Sequence, residues 1–250
     1  MPVFHAGVTA SPIRFFIPVL CLLLAPVWEA RAQAEGGREG AISPYSARKA
    51  RILLHQQLPC LGCHALGDSG GRLAPDLATV RQRRSPEYIA AMIDDPEGTA
   101  PGSAMPRTPM LPATRDVIVR YLQSLPGNAS SAPVPSARGA AVNESSDGRE
   151  LYLRWCAGCH GSSGRGDGPN AAHLPVRPAA HAGNGMSARS DDALYDTIAG
   201  GGAIMNRSPR MPAFGESLSD PQIRALVAYI RTLCRCQGPD WSRDAGPAGR

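Results

Sequence analysis

CAGCH at residues 156–160 is the stretch that decides the fold of this chain, and CLGCH at residues 60–64 repeats its pattern. Two thiols separated by two residues can each form a thioether with one vinyl group of a haem, and the adjoining histidine then lies under the iron. The sequence therefore predicts two covalently bound haem c groups. The predicted attachment residues are Cys60, Cys63, Cys156 and Cys159. The predicted axial ligands are His64 and His160.

Two other uses of paired cysteines fit less well. A structural zinc site would need both pairs, but many more residues separate them than separate the pairs of a zinc ribbon. A thioredoxin-like dithiol needs a single CxxC that opens a helix beside a strand, and no strand-rich pattern surrounds either stretch. Covalent haem is the preferred interpretation.

The composition agrees with small cores built around a large cofactor. Two repeats in 250 residues leave each half fewer than about a hundred residues, a size at which burial alone gives marginal stability. Only 5% of the residues are aromatic, which is low for two ordinary cores and is explained if each core encloses a porphyrin. The propionates of the two predicted haems would offset the formal net charge of +5. No basic stripe with interleaved aromatic residues occurs. A nucleic-acid partner is therefore not expected.

Residues 1–32 have the pattern of an export signal. Arg14 precedes an apolar run over residues 15–28, and Ala30 and Ala32 supply the small residues expected before a cleavage site. The run is short and interrupted by prolines, so no stable membrane span is expected. We expect cleavage near Ala32 and a periplasmic location, followed by a flexible arm over residues 33–44.

The rest of the chain shows the same order of elements twice. In the first half, helices are predicted over residues 45–58, from Ser85 to Ile93, and over residues 114–125. Residues 127–146 are rich in Pro, Ser, Ala and Gly and are predicted to be a linker. In the second half, helices are predicted from Asp147 into the motif, over residues 190–198 and over residues 219–233, and residues 237–250 are predicted to be a disordered tail.

Both halves thus follow the order helix, CxxCH, loop, helix, methionine-containing loop, helix, and in this order they resemble class I cytochromes c. The second half carries GRELYLRWCAGCHG, GRGDGP, RMPAF and LVAYIRTL, and the first half carries CLGCH, RLAPDL, AMP and VIVRYLQSL. The resemblance implies an all-α fold with two cytochrome c-like domains in tandem, over residues 45–126 and 147–236. Each domain is expected to be a small helical bundle wrapped around its haem.

The resemblance also implies the sixth iron ligands. Met105, followed by Pro106, and Met211, followed by Pro212, occupy the place where this family carries its ligating methionine. Each half has a spare methionine, so the alternatives Met110 and Met205 stay open. The other imidazoles, interpreted as surface or hinge residues, are His55, His173 and His181. Cys234 and Cys236 are separated by one residue, which would strain a mutual disulfide, so free thiols or a link to another chain stay open.

The function implied by the resemblance is that of a periplasmic dihaem c-type cytochrome, an electron carrier and not an enzyme. It would pass single electrons from a dehydrogenase or quinol-oxidising complex to a terminal reductase or oxidase. One alternative is a dihaem peroxidase-like enzyme with one open iron, although no distal acid or base stands out in the sequence. Another is a dedicated cytochrome subunit of an oxidoreductase complex. The sequence does not indicate an oligomeric state.

Overall fold

The computed structural model describes residues 41–127 and 145–243. The predicted regions or parts of regions that lie outside the described residues are the signal peptide 1–32, arm residues 33–40, linker residues 128–144 and tail residues 244–250. In the two described ranges, no helix has both the length and the apolar character needed to cross a bilayer.

The first half begins with helix α1 (Pro44–Ile52), which continues as a π-helical turn over Leu53–Gln57. Ser43 caps α1, because its Oγ accepts a hydrogen bond from a backbone N–H of the first turn at 3.1 Å. The sequence predicted one helix over residues 45–58 that ends before Pro59. The helical segment does end there, since proline has no N–H with which to continue it.

A short hairpin, a 3₁₀ helix and three α-helices follow the first motif. The elements are α2 (Cys60–Cys63), β1 (Ala65–Leu66), β2 (Ser69–Gly70), a 3₁₀ helix (Leu77–Gln82), α3 (Pro86–Asp94), α4 (Pro96–Thr99) and α5 (Pro112–Ser124). Strands β1 and β2 are antiparallel, with Ala65 opposite Gly70. Ser85 caps α3 by accepting from the Tyr88 N–H at 3.2 Å, as its Ser-Pro-Glu start predicted. The hairpin was not predicted, because each strand is only two residues long.

The second half repeats the order of helices. Its elements are α6 (Gly148–Trp155), α7 (Ala157–His160), 3₁₀ turns (Ala171–His173 and Asn184–Met186), α8 (Asp191–Ile204), α9 (Asp220–Cys234) and α10 (Asp240–Arg243). Asp147 caps α6 by accepting from two backbone N–H groups at 2.8 and 2.9 Å. Ser219 and Gln222 form a reciprocal capping box at the start of α9. Both starts agree with the prediction.

Helix α8 is longer than predicted. The sequence predicted a helix over residues 190–198 and a loop from Gly200, but helical turns continue to Ile204. The helix is interrupted at Gly201, whose φ of 78° is accessible mainly to glycine. The N–H of Gly202 then donates to the carbonyl oxygen of Met211 at 3.0 Å, so the interruption brings the end of α8 onto the loop that contains Met211.

Each half buries its own apolar cluster. The first helix of each half packs against its last long helix, α1 against α5 and α6 against α9. The buried residues of the first cluster are Ala50, Leu54, Ile89, Ile118, Val119, Tyr121 and Leu122. The buried residues of the second cluster are Leu151, Tyr152, Met186, Leu194, Ile198, Phe214, Leu218, Ile223, Leu226, Val227 and Ile230. The described residues are mostly helical and form one apolar core in each half, as expected for a small helical bundle in each half.

The two halves also pack directly on each other. The chain from residue 42 onward forms one compact unit. The division into domains over residues 45–126 and 147–236 stays a prediction. The separate cores agree with two domains, whereas the contact between the halves joins them into one compact unit.

The end of α9 differs from the prediction. Cys234 and Cys236 form a disulfide with each other, with their Cα atoms 5.1 Å apart. Arg235 between them adopts a left-handed conformation with φ 49°, which turns the chain so that the two sulfurs meet. The predicted free thiols or link to another chain are therefore not found here. Part of the predicted disordered tail is also helical, because α10 lies within it.

Candidate functional site

Each CxxCH motif folds as a single helical turn. The His64 N–H donates to the carbonyl oxygen of Cys60, and the His160 N–H donates to that of Cys156, both at 2.9 Å. Residues four apart in such a turn lie on the same face. The fold therefore brings each histidine next to the cysteines of its own motif.

Both motif histidines are held by a backbone carbonyl. His64 Nδ1 lies 2.7 Å from the oxygen of Pro75, and His160 Nδ1 lies 2.9 Å from the oxygen of Ala179. A carbonyl oxygen only accepts, so Nδ1 carries the proton in both rings and Nε2 keeps its lone pair. Burial lowers the pKa of both imidazoles, which keeps them neutral. This is the form in which histidine ligates a metal through Nε2.

The four motif cysteines form no disulfide and are partly buried. Burial raises the pKa of Cys60 to about 11 and the pKa values of Cys63 and Cys156 to about 12. Burial also raises the pKa of Cys159, although a hydrogen bond from Asn170 partly opposes this. Burial thus keeps these sulfurs uncharged, and a thioether, which carries no charge, is compatible with the same surroundings. The residues present fit a covalently attached haem in each half.

A zinc site shared by the four cysteines does not fit the structure. Within residues 41–127 and 145–243, no group of three or more His, Cys, Asp or Glu side chains is placed to hold a metal ion. A structural zinc site needs four such ligands at one point. The two cysteine pairs therefore do not converge as zinc ligands.

The predicted sixth ligands lie on separate loops. Met105 is half-buried between α4 and α5, and Met211 is half-buried between α8 and α9, where it packs against the second apolar cluster. The spare Met110 packs against the first apolar cluster. The spare Met205 follows the last residue of α8. Packing gives Met110 a structural role that does not require an iron.

His181 is part of the second site, so its interpretation as a surface or hinge residue was wrong. Its ring stacks on the ring of His160, with centroids 4.1 Å apart, and Tyr152 Oη lies 3.0 Å from its Nδ1. Burial, with smaller contributions from the neighbouring imidazole and from Arg189, lowers the pKa of His181 to about 3. His181 comes two residues after the carbonyl acceptor Ala179. No sequence signal located it, because the equivalent position of the first half, two residues after Pro75, is Leu77.

The other two imidazoles lie elsewhere. His173 is exposed in a 3₁₀ turn. His55 is half-buried on the π-helical turn that follows α1, and burial together with the charges of Arg210 and Arg51 lowers its pKa. Neither one contacts a motif in the way that His181 does.

Asn170 joins the two motifs across the contact between the halves. Its Nδ2 donates to the carbonyl oxygen of Gly62 at 2.7 Å and lies 3.3 Å from the sulfur of Cys159. Its Oδ1 accepts from the Arg72 N–H at 2.7 Å. The side chain is buried, with 1% of the residue exposed. One amide thus contacts both attachment turns, a relation between distant residues that no local pattern indicates.

Glycines allow this close approach. A Cβ on Gly62 would lie 2.0 Å from the carbonyl oxygen of Arg210 in the other half. A Cβ on Gly158, the equivalent residue of the second motif, would lie 2.7 Å from a methyl carbon of Leu73. The variable positions of both CxxCH motifs therefore face the opposite half.

Three arginines form further hydrogen bonds between the two halves. The Arg210 guanidinium donates to the carbonyl oxygens of Leu54 and His55, at 3.1 and 2.8 Å. The Arg154 guanidinium donates to the carbonyl oxygens of Gly102 and Ser103, at 3.1 and 3.0 Å. The Arg107 backbone N–H donates to Ser217 Oγ at 2.9 Å. Each of these bonds joins one half to the other.

Comparison with known proteins finds a family match within the second half. Residues 143–230 match the family model for subunit III of cbb3-type cytochrome c oxidase. The chain is also 33% identical over 127 residues to the cytochrome c subunit of a quinone-type alcohol dehydrogenase from Gluconacetobacter polyoxogenes, and equally to that of Komagataeibacter europaeus. These alignments cover 46% of the chain and 26% of each relative, so the chain spans about a quarter of their length. No solved structure matches the chain.

Proposed function

From the premise that residues 143–230 contain a cytochrome c domain, we propose that the whole chain is a dihaem c-type cytochrome that carries single electrons in the periplasm. The observation that carries the proposal is the repeated histidine geometry, with His64 Nδ1 on the Pro75 carbonyl and His160 Nδ1 on the Ala179 carbonyl. This arrangement leaves one Nε2 in each half ready to ligate an iron. The first half, which the family model does not cover, thus has the same ligand arrangement as the second.

The residues have distinct roles in this function. Cys60 and Cys63 attach one haem, and Cys156 and Cys159 attach the other. When bound, each haem supplies an iron that gains or loses one electron. The carbonyls of Pro75 and Ala179 fix the histidine rings, and a rigid ligand set keeps the geometry similar in both oxidation states.

Met105 and Met211 are proposed as the sixth ligands. A thioether in that position raises the reduction potential and closes the iron to small molecules. Met105 is preferred to Met110 because Met105, like Met211, is followed directly by proline. With both positions filled, the protein exchanges electrons without binding a substrate at iron, which is the behaviour of a carrier and not of an enzyme.

A carrier of single electrons needs an electron donor and an electron acceptor. The expected donor is a dehydrogenase or a quinol-oxidising complex, and the expected acceptor is a terminal reductase or oxidase. The similarity to cytochrome c subunits of alcohol dehydrogenases supports a second candidate, a dedicated cytochrome subunit of an oxidoreductase complex. The export pattern of residues 1–32 supports a periplasmic site of action. Co-purification with a catalytic subunit would favour the second candidate over a free carrier.

The decisive experiment is to count the covalent haems and assign each to its motif. We expect wild-type protein to stain for haem on a denaturing gel and to carry two haems by intact mass. The double variants Cys60→Ser/Cys63→Ser and Cys156→Ser/Cys159→Ser should each carry one. Wild-type protein without covalent haem would overturn the proposal, and a single haem would restrict it to one half.

Ligand spectroscopy then separates a carrier from the peroxidase-like alternative. The ferric protein should show the far-red charge-transfer band of methionine-ligated iron in both halves, and the ferrous protein should not bind carbon monoxide. Rapid turnover of peroxide by a haem that binds carbon monoxide would favour the dihaem peroxidase-like enzyme.

A further inference from the structure

The loop that carries Met211 is attached to the opposite half of the protein. Arg210 immediately precedes Met211, and its guanidinium donates to the carbonyl oxygens of Leu54 and His55 at the end of the first helical segment. The Arg210 backbone also lies against Gly62, in the gap that a side chain there would fill. Met211 therefore follows a residue held by both its side chain and its main chain.

The sequence around Pro59 leaves those two carbonyls available. In an α-helix, the oxygen of His55 would accept from the N–H of residue 59, but proline has none. The oxygen of Leu54 would accept from the Leu58 N–H, which instead donates to Leu53 at 2.8 Å in the π-helical turn. Buried carbonyls without a donor are costly, so the Arg210 guanidinium satisfies a need created by the first half.

The loop that carries Met105 is attached in the reverse direction. On one side of Met105, the carbonyl oxygens of Gly102 and Ser103 accept from Arg154 of the second half. On its other side, the Arg107 N–H donates to Ser217, also of the second half. Met105 thus lies between two points of attachment to the opposite half.

Local contacts make these attachments stiff. The Arg154 guanidinium stacks over the Trp155 ring, 5.0 Å from its centroid. The Met105 N–H donates to Ser103 Oγ at 3.1 Å, which links the methionine backbone to the residue that Arg154 holds. Both Arg154 bonds come from Nη2, whereas Arg210 uses Nη1 for Leu54 and Nη2 for His55. The planar fork of Arg210 therefore restrains its loop more than a single ammonium can.

We propose that each half positions the sixth ligand of the other, through Arg154 for Met105 and Arg210 for Met211. The inference rests on the proposed dihaem function and adds the residues that keep its methionines in place. Arg154 and Arg210 bond to backbone carbonyls and act through the methionine loops, so they are positioning residues. Separation of the halves would then loosen both methionine ligands at once.

The test uses the full-length holoprotein and the variants Arg154→Ala and Arg210→Ala. Each should increase the population without a methionine–iron bond about tenfold or more in one half, the effect expected when a charged donor to a carbonyl is lost. The readouts are a weaker far-red band, carbon monoxide binding by one ferrous haem and a lower midpoint potential. Met105→Leu and Met211→Leu provide reference spectra that assign each change to a half.

Matched controls separate positioning from loss of charge. Arg149→Ala removes an exposed arginine from the same helix as Arg154, and Arg207→Ala removes an exposed arginine from the loop that contains Arg210. Both should leave the far-red bands unchanged. Arg210→Lys keeps the charge but replaces two donor nitrogens by one, so it should restore its band only in part. Arg154 uses one nitrogen for both carbonyls, so Arg154→Lys should restore its band more fully.

The outcomes distinguish this inference from the proposed function. Suppose that wild-type protein has both haems and both methionine bands. If Arg154→Ala and Arg210→Ala keep both bands and do not bind carbon monoxide, the two arginines do not position the methionines, and the carrier function still stands. If wild-type protein lacks covalent haem, the function itself fails. Covalent attachment retains the haem even in a destabilised variant, so the spectra remain measurable.

Discussion

Asn170 Nδ2 donates to the carbonyl oxygen of Gly62 at 2.7 Å, and this buried hydrogen bond ties the loop after the second CxxCH motif to the turn of the first. The same nitrogen lies 3.3 Å from the sulfur of Cys159. The two attachment turns are therefore held next to each other by one side chain.

Asn170→Ala should destabilise the protein. The variant leaves the Gly62 carbonyl and the Arg72 N–H without their buried partner, and we expect the free energy of unfolding to fall by about 2 to 3 kcal/mol. Guanidinium unfolding of the holoprotein measures the change. Asn184→Ala, at an exposed asparagine in the same half, is the control and should change it by less than about 0.5 kcal/mol. Equal midpoints for the two variants would contradict the bridging role of Asn170.

Gly62→Ala and Gly158→Ala should differ sharply although they change equivalent motif positions. The new methyl at position 62 meets the backbone oxygen of Arg210 at 2.0 Å, and a backbone cannot rotate away. The methyl at position 158 meets the flexible end of Leu73 at 2.7 Å. We expect losses of about 3 kcal/mol for the first variant and less than about 1 kcal/mol for the second, measured by chemical unfolding. The reverse order would show that the two motifs do not pack as described.

The mature holoprotein should contain no free thiol. The motif cysteines are proposed as thioethers, Cys234 and Cys236 form a disulfide, and Cys21 lies in the predicted signal peptide. A thiol-reactive dye added to denatured protein should give no signal before reduction and two thiols after it. Two thiols without reduction would show that the disulfide does not form.

Replacement of both disulfide cysteines by serine should have a modest effect. The bond between Cys234 and Cys236 encloses a single residue, so it removes little freedom from the unfolded chain. We expect a loss of about 2 kcal/mol or less, with both methionine bands retained. A larger loss would mean that the disulfide supports the second core beyond its effect on the unfolded chain.

Arg231→Met should destabilise the second half. The Arg231 side chain is 13% exposed, and it donates to the carbonyl oxygens of Met186 and Arg189 and to Asp191. Loss of these bonds should cost about 2 to 3 kcal/mol. Arg224→Met on the same helix removes an exposed guanidinium and should cost less than about 1 kcal/mol. Similar losses from both would refute the role assigned to Arg231.

Local chemistry accounts for what could be predicted from the sequence. Asp147, Ser85 and Ser219 mark helix starts through bonds to N–H groups within the next turn, so the start signal and its effect lie in adjacent residues. Apolar spacing indicated two helical cores, and the CxxCH repeat indicated the cysteine and histidine sites by residue type alone.

Tertiary structure decided how the two sites meet. Asn170, Arg154 and Arg210 each bond to backbone carbonyls far away in the chain, and a carbonyl is present at every residue, so no sequence pattern specifies which one is used. The stacking of His181 on His160 likewise depends on how a long loop folds back. Sequence alone indicated which residues are proposed to hold haem, because that chemistry needs particular side chains at short spacing. Only the fold determined that the two motifs lie together, because that depends on contacts between distant segments.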